Sequence, residues 1–383
     1  MIYSVVQILR SLSSTWVTFR TLQQIELQRN KDGALQYSIG NSAVVVKAKV
    51  AGEYYALKCY TTPSEHRKAI YRDKLLPAEL MIPLEQGVQW VDISLERWCE
   101  GEALGEAILR FATSRDIPSL ESLSCNFDRL ALELLAEEWA HGDITCDNII
   151  LDAEGSLHLI DFDGSFLPEF SGEQSSELGT EAFQHPARTI SHFDRTIDDY
   201  PLALISTALA TLRLDPSLIE KSSLCEGLLF TPSECVAGRS ETLEQALLLL
   251  SQDGRFFDYR IAMMLRSPTV SLPELYSILR YKVEGIHAAS NPTTTFTRDG
   301  LWGYLNEFSR QAIPPIFTSA HNFKNGKAAV KIGEVWHIIN PLAEVIVNGS
   351  RYKTLRNMQG GSIQALSHDG KWEELATISN LRG

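Results

Sequence analysis

HGDITCDNIILDAEGSLHLIDFDGSF, residues 141–166, decides the reading of this chain. Asp143, Asn148 and Asp161 are spaced by five and then thirteen residues. Between them, NIILD and SLHLIDF are aliphatic enough for two short strands, and Ala153-Glu154-Gly155 supplies the turn that joins them. Such a hairpin returns Asn148 and Asp161 to one end and leaves Asp143 on the loop before it. Two carboxylates and an amide oxygen then converge on one point. Oxygen donors of this kind suit magnesium bridging phosphates, and a placed carboxylate receives the proton of an attacking hydroxyl. Taken singly, Asp143 reads as a turn aspartate, Asp161 as a strand-end cap and His141 as a packed structural histidine. The joint spacing is what gives them another meaning.

Upstream, QYSIGNSAVVVKAKV and YYALKCY, within residues 36–60, carry β-branched and aromatic residues around Ala51-Gly52-Glu53 and predict strands. Residues 64–140 turn helical, interrupted by MIPLEQGVQWVDISLERW, which predicts short strands. Downstream, YPLALISTALATL, LEQALLLL and LPELYSILRYKV predict helices between residues 198 and 286. The first is apolar nearly all round, as a helix at the centre of a helical lobe must be.

With these elements in order, His141-Gly142-Asp143, Asn148 and Asp161-Phe162-Asp163 resemble the catalytic and metal-binding loops of the protein-kinase-like superfamily. Ile39 to Val45, followed by Tyr55-Ala56-Leu57-Lys58, resembles that family's phosphate-covering hairpin and strand lysine. Gly179-Thr180 and Gln184-His185-Pro186 resemble the end of an activation segment. Asp198, 37 residues after Asp161, resembles the aspartate that opens a buried helix and braces the catalytic loop. The resemblance spans residues 35–285 and implies an α+β, two-lobed fold. Residues 1–100 would be a β-rich N-lobe with an N-terminal extension, and residues 101–290 a helical C-lobe.

The resemblance also implies ATP and magnesium as cofactors, and transfer of the γ-phosphate to a serine or threonine of a protein. Lys58 would neutralise the α- and β-phosphates, held in place by Glu65 in PSEHRKAIY or by Glu79 as its substitute. Asp143 would orient the acceptor hydroxyl and take its proton, while Asn148 and Asp161 would hold magnesium. Gly40, Asn41 and Ser42 would lay backbone N–H groups over the phosphates. Glu96 to Trp98 would form the hinge whose backbone reads the adenine edge. Asp163 stands where the family usually has glycine, and reads equally as a further metal oxygen or as a surface carboxylate.

Four departures qualify what the resemblance implies. Gly40 is the one glycine of the usual three in the phosphate loop. Gly142 replaces the arginine that pairs with a phosphorylated activation loop. Thr145 replaces a lysine that touches the transferring phosphate, which brings in the small-molecule kinases of the aminoglycoside and choline types as an alternative. His185-Pro186-Ala187 replaces Ala-Pro-Glu, so the ion pair of that glutamate cannot form. Depleted motifs of this kind also fit a pseudokinase that binds nucleotide or partners without catalysis. The Gly-Thr and proline platform favours the protein kinases, most closely a bacterial group of serine/threonine-kinase-like proteins.

Past Asn291 the character changes. SNPTTTFTRDG is a turn-rich linker, and apolar segments then restart at Trp302, Trp336 and Trp372, spaced by 34 and 36 residues. A period of that length predicts stacked units that bury their apolar faces on one another. Trp302-Gly303-Tyr304-Leu305, with Ala312 to Pro315, Phe323, Gly326, Ala328 and Val330, resembles WG-containing repeats. His337 and Glu373 replace the glycine in the next two copies. Residues 291–383 would then be a β-rich repeat module that meets a protein substrate or regulatory partner.

Composition bounds these expectations. Hydrophobic residues at 44% and charged residues at 22% describe a globular chain, and 383 residues exceed one ordinary core. The net charge of −13 disfavours a nucleic-acid binder. It divides unevenly: residues 1–290 hold 25 basic and 41 acidic side chains, and residues 291–383 hold 10 and 7. The acid excess thus belongs to the kinase-like part, where it would attract basic acceptor segments. No apolar run reaches the roughly 18 residues of a membrane span, and Arg10 and Arg20 interrupt the N-terminal stretch without a signal-peptide layout. Six scattered cysteines with no CxxC pair suit a reducing cytoplasm rather than a metal site.

Overall fold

The structure is a computed structural model and describes residues 4–14, 19–22, 24–40, 42–84, 87–221, 228–287, 290–358 and 362–375. It is α+β and divides into two compact units, Met1–Gly101 with Ile160–Ser165, and Glu102–Leu159 with Phe166–Gly383. Among the described residues no helix is long and apolar enough to cross a membrane.

The first unit opens with α1 (Val5–Ser13), started by a capping box in which Ser4 and Gln7 satisfy each other's backbone N–H. Next come β1 (Ile25–Leu27), β2 (Tyr37–Ile39), β3 (Ala43–Val50), β4 (Glu53–Tyr60), the short helix α2 (Arg67–Tyr71), β5 (Leu75–Leu84) and β6 (Gly87–Arg97). One antiparallel sheet runs β1-β3-β4-β6-β5, with β2 also paired to β3. The β3–β4 turn has two residues, Ala51 at φ 51° and Gly52 at φ 91°, the left-handed pair that matches strand twist. Alternation puts Val44, Val46 and Ala48 on the buried face, where they meet Leu57, Leu80, Ile82 and Ile93 under Ile8 and Leu12 of α1. The helical pattern expected over residues 64–140 yields only the five residues of α2 ahead of these strands, and its main part lies beyond them, in helices at Leu104–Thr113 and Ile117–Ala136. The strands expected to be short are ten and eleven residues long instead. Pairing of Leu80 with Val91 and of Leu76 with Ile93 buries apolar side chains on the sheet face, and this outweighs local helical preference.

The second unit begins with β7 (Glu102–Ala103), α3 (Leu104–Thr113) and α4 (Ile117–Ala136), then β8 (Ile149–Leu151) and β9 (Leu157–Leu159). The last two are the hairpin expected from the quoted stretch, with Ile149 opposite Leu159. Then follow α5 (Asp199–Leu212), α6 (Pro232–Val236), α7 (Glu241–Asp253), α8 (Phe256–Met264) and α9 (Leu275–Glu284). All fourteen residues of α5 are buried, as its all-round apolar sequence requires. Asp116 and Ser240 cap α4 and α7 by accepting from Ser119 and Leu243 N–H.

Three small sheets end the unit. They are β10 (Pro292–Arg298), β11 (Leu301–Asn306) and β12 (Gln311–Phe317); β13 (Ser319–Ala320), β14 (Ala328–Ile332), β15 (Val335–Ile339) and β16 (Val345–Val347); and β17 (Thr354–Asn357), β18 (Ile363–Leu366) and β19 (Trp372–Leu375). Trp302, Trp336 and Trp372 each stand at or next to the start of a strand that follows a glycine-bearing turn, so the sequence period is a structural one. On β14, Ala328, Val330 and Ile332 face the helical core, whereas Ala329 joins Ile338, Leu355, Ile363 and Ala365 in a separate cluster. The strands thus share an apolar core with the helices: Phe256 of α8 packs edge-on to Phe317, with ring centroids 5.1 Å apart.

Candidate functional site

The candidate residues fall into two groups, one in each unit. In the first unit, β4 carries Lys58 inward with 5% of its surface exposed. Its ammonium lies 2.5 Å from Asp161 Oδ1 and 2.9 Å from Asp163 Oδ2, and it donates to Tyr71 Oη at 3.3 Å. Asp163 also accepts from Ser42 Oγ at 3.0 Å and from Tyr71 Oη at 2.7 Å. Burial works against the Lys58 charge, but Asp163 and Asp161 overcome it and raise the pKa above the ordinary lysine value. Burial likewise opposes the Asp163 charge; Lys58 and the hydrogen bonds from Lys58 and Tyr71 hold its carboxyl below the usual range. Asp163 is therefore neither a surface carboxylate nor a loose one. Asp161 takes φ 66°, a left-handed conformation uncommon outside glycine, so the backbone itself turns to present this carboxylate.

Glu65 and Glu79 are corrections. Glu65 is exposed and precedes α2, and Glu79 lies on β5, where its carboxylate accepts from Thr21 N, Leu22 N and Thr21 Oγ1. Neither is the acid that Lys58 meets among the described residues, because α2 is too short to bring a glutamate to β4. Tyr71 of α2 reaches the group instead, and no sequence signal marks it.

In the second unit, Asp143 and Asn148 come together as their spacing predicts. Asn148 Nδ2 donates to Asp143 O at 2.9 Å and to Asp143 Oδ2 at 3.2 Å, and Asp143 Oδ1 accepts from Thr180 N at 2.7 Å. Thr145 shapes the loop from within by accepting from Asn148 N at 3.1 Å and Asp147 N at 3.3 Å. Beneath it, buried Asp198 accepts from His141 N at 2.5 Å and from Gly142 N at 2.9 Å. Burial raises the Asp198 carboxyl pKa, against the pull of His141 and the two amides. Gly142 takes φ 83°, which a side chain would strain, and its carbonyl accepts from Arg188 Nη1 at 2.9 Å. Arg188 and Gln184, which bond each other, were not legible as loop supports. Gly179 is sterically required: a Cβ there would stand 2.7 Å from Gly142 O and 2.9 Å from Asp143 Oδ1.

The other expected positions behave differently. Gly40 N–H closes the β2–β3 turn onto Ala43 O at 2.9 Å, and a Cβ on Gly40 would meet nothing closer than 3.8 Å. Asn41 lies outside the described residues. In the hinge expected over Glu96 to Trp98, the Trp98 N–H donates to Tyr54 O at 2.9 Å, so the sheet engages that amide. Glu96 stays on β6 opposite Ala56 and takes Lys74 Nζ at 3.2 Å.

No group of three or more His, Cys, Asp or Glu able to hold a metal occurs among the described residues. Magnesium bound through phosphates needs only one or two protein oxygens. Each unit offers one oxygen donor of that kind: Asp161, with its side chain 39% exposed, in the first, and in the second the amide oxygen of Asn148, left over once Nδ2 has donated to Asp143.

In a comparison with known families, residues 302–336 match the WG containing repeat. Gly303 explains the glycine of that motif, since a Cβ there would come within 2.7 Å of Ile313 O. A comparison with curated proteins found no match.

Proposed function

We propose that the chain is a protein-kinase-like phosphotransferase that uses ATP and magnesium to phosphorylate a serine or threonine hydroxyl of a protein. The observation that carries this reading is the Lys58–Asp161 contact of 2.5 Å: a strand lysine and the carboxylate assigned to magnesium, 103 residues apart in sequence, share one small volume. Within the second unit, Asp143 has one carboxylate oxygen fixed by Thr180 N and the other near Asn148, the restraint expected of a group that orients a hydroxyl. Magnesium, when bound, would offset the charge of the transferring phosphate. Lys58 would neutralise the phosphates, Asp161 and Asn148 would hold the metal, and Asp143 would take the hydroxyl proton. Asp198 and Arg188 would keep the Asp143 loop in position.

A second reading is a pseudokinase scaffold. It draws on the engaged Trp98 amide and on the closed set of Lys58, Asp161, Asp163 and Tyr71, in which two carboxylates meet the Lys58 charge without a ligand. Labelled ATP, magnesium and a generic basic protein separate the two. The kinase reading expects transfer that Asp143→Asn abolishes, and no transfer above that variant sinks it. Magnesium-ATP at about 100 times its dissociation constant would still add roughly 2.7 kcal/mol to a nucleotide-binding scaffold.

A further inference from the structure

Lys58 and Asp161 have parts in the proposed function, whereas Asp163 and Tyr71, in the same cluster of the first unit, have none. An ammonium has three donors, and those of Lys58 meet Asp161 Oδ1, Asp163 Oδ2 and Tyr71 Oη. A lysine that neutralises phosphates must release one of these acceptors and keep its direction from the others.

The two carboxylates are not equivalent. Asp163, with its side chain 6% exposed, also accepts from Ser42 Oγ at 3.0 Å through Oδ2 and from Tyr71 Oη at 2.7 Å through Oδ1. Ser42 is fixed in turn, because its carbonyl accepts from Thr61 N at 2.8 Å and from Thr61 Oγ1 at 2.9 Å. Tyr71 is buried, accepts from Lys58 and donates its own hydroxyl proton to Asp163, so Lys58, Tyr71 and Asp163 close a ring. Displacing Asp163 would strand a buried charge and two hydroxyl donors. Asp161 is 39% exposed, and Lys58 is its carboxylate's one partner among the described residues. Displacing Asp161 breaks one contact and leaves a carboxylate that water can solvate.

We propose that Asp163 is the positioning residue that holds Lys58, with Tyr71 orienting the pair, and that Asp161 is the carboxylate Lys58 releases when it turns to nucleotide phosphates. This division of roles rests on the phosphotransferase reading. It gives Asp163 the part expected of a helix glutamate, so the segment that carries Asp161 also sets the direction of Lys58. From α2 the cluster takes only a neutral hydroxyl.

Two measurements on the full chain test the proposal. The first follows exchange of the Lys58 ammonium protons with water by heteronuclear NMR, with the signal assigned by its absence in Lys58→Arg. Asp163→Asn should speed exchange about tenfold or more, and Tyr71→Phe, a milder change that keeps the ring, about threefold or more. Asp161→Asn should change it less than either. The second is calorimetry of ATP binding with magnesium and with EDTA. Asp161→Asn should abolish the affinity gained from magnesium, whereas Asp163→Asn and Tyr71→Phe should keep it. Should Asp163→Asn fail to fold, Tyr71→Phe carries both comparisons. Faster exchange in Asp161→Asn than in the other variants, or loss of the magnesium gain in Asp163→Asn or Tyr71→Phe, overturns the proposal. A wild-type chain that neither binds ATP nor transfers phosphate, yet shows the expected exchange pattern, counts against the phosphotransferase reading and leaves the hold of Asp163 on Lys58 standing.

Discussion

Lys58 Nζ stands 2.5 Å from Asp161 Oδ1, tying β4 to the Ile160–Ser165 segment of the same unit. Asp163, as buried as Lys58, makes this a three-group charge cluster rather than a simple pair. Lys58→Met would leave a buried carboxylate facing an apolar side chain and should destabilise the chain by about 3 kcal/mol at pH 7. The loss should shrink near pH 4.5, where the stranded Asp163 takes up a proton while the wild-type pair, with its lowered carboxyl pKa, remains charged. Denaturant titration at both pH values checks this, and equal losses at the two would contradict it.

Asp199, at the first turn of α5, carries the opposite sign. Burial pushes its carboxyl up to about 7, with the Leu272 N–H opposing and Asp198 adding to the rise. Between about pH 4 and 7 the folded chain keeps a proton that the unfolded chain has released, so stability falls as pH rises and levels off above 7. Asp199→Asn still accepts from Leu272, removes that slope and should stabilise the chain at pH 7 by about 2–4 kcal/mol. A pH series of unfolding midpoints reads both effects.

Gly179→Ala should cost about 2 kcal/mol, because φ 71° is strained for alanine and the new Cβ would press on the Gly142 carbonyl and the Asp143 carboxylate. Under the proposed function it should also lower transfer about tenfold or more through displacement of Asp143. Normal stability with normal transfer would mean that the Gly179 contact carries no weight.

His337→Gly places a glycine after Trp336, as Gly303 follows Trp302, yet it should destabilise the chain by about 2–4 kcal/mol. His337 is fully buried, bonds Ser251 O at 2.8 Å and packs edge-on to Phe256. Burial lowers its pKa, against the Ser251 hydrogen bond, so the neutral ring is favoured. A neutral or stabilising outcome in thermal melts would show the departure from glycine to be drift.

Glu79→Ala should cost about 1–3 kcal/mol by orphaning the Thr21 and Leu22 amides. Glu65→Ala, at an exposed position, should stay within about 0.5 kcal/mol. Parallel unfolding curves distinguish them, and a larger loss at Glu65 would restore it as a structural partner.

Much of this was legible in local sequence. The β3–β4 turn, the β8–β9 hairpin, the buried α5 and the tryptophan period are each set by patterns a few residues long, and short-range sterics and periodicity suffice to read them. The pairing of Asp143 with Asn148 followed from five residues of spacing. What Lys58 meets did not follow, because the choice among Glu65, Glu79, Asp161 and Asp163 depends on how far α2 extends and on which carboxylates other groups have already engaged. Engagement of the Trp98 amide by Tyr54 likewise depends on pairing between β4 and β6 that continues past the last strand residue.

The sequence by itself determined an α+β chain, the elements that carry the candidate residues, and a C-terminal WG repeat, since propensity, alternation and turn chemistry act over a few neighbouring residues. Only the tertiary structure decided that Asp163 and Tyr71 enclose Lys58, that Arg188 supports Gly142, and that His337 seats the repeat strands on α7 and α8. Those outcomes rest on burial and on which polar groups must satisfy one another far apart in the chain, and no local pattern encodes that choice.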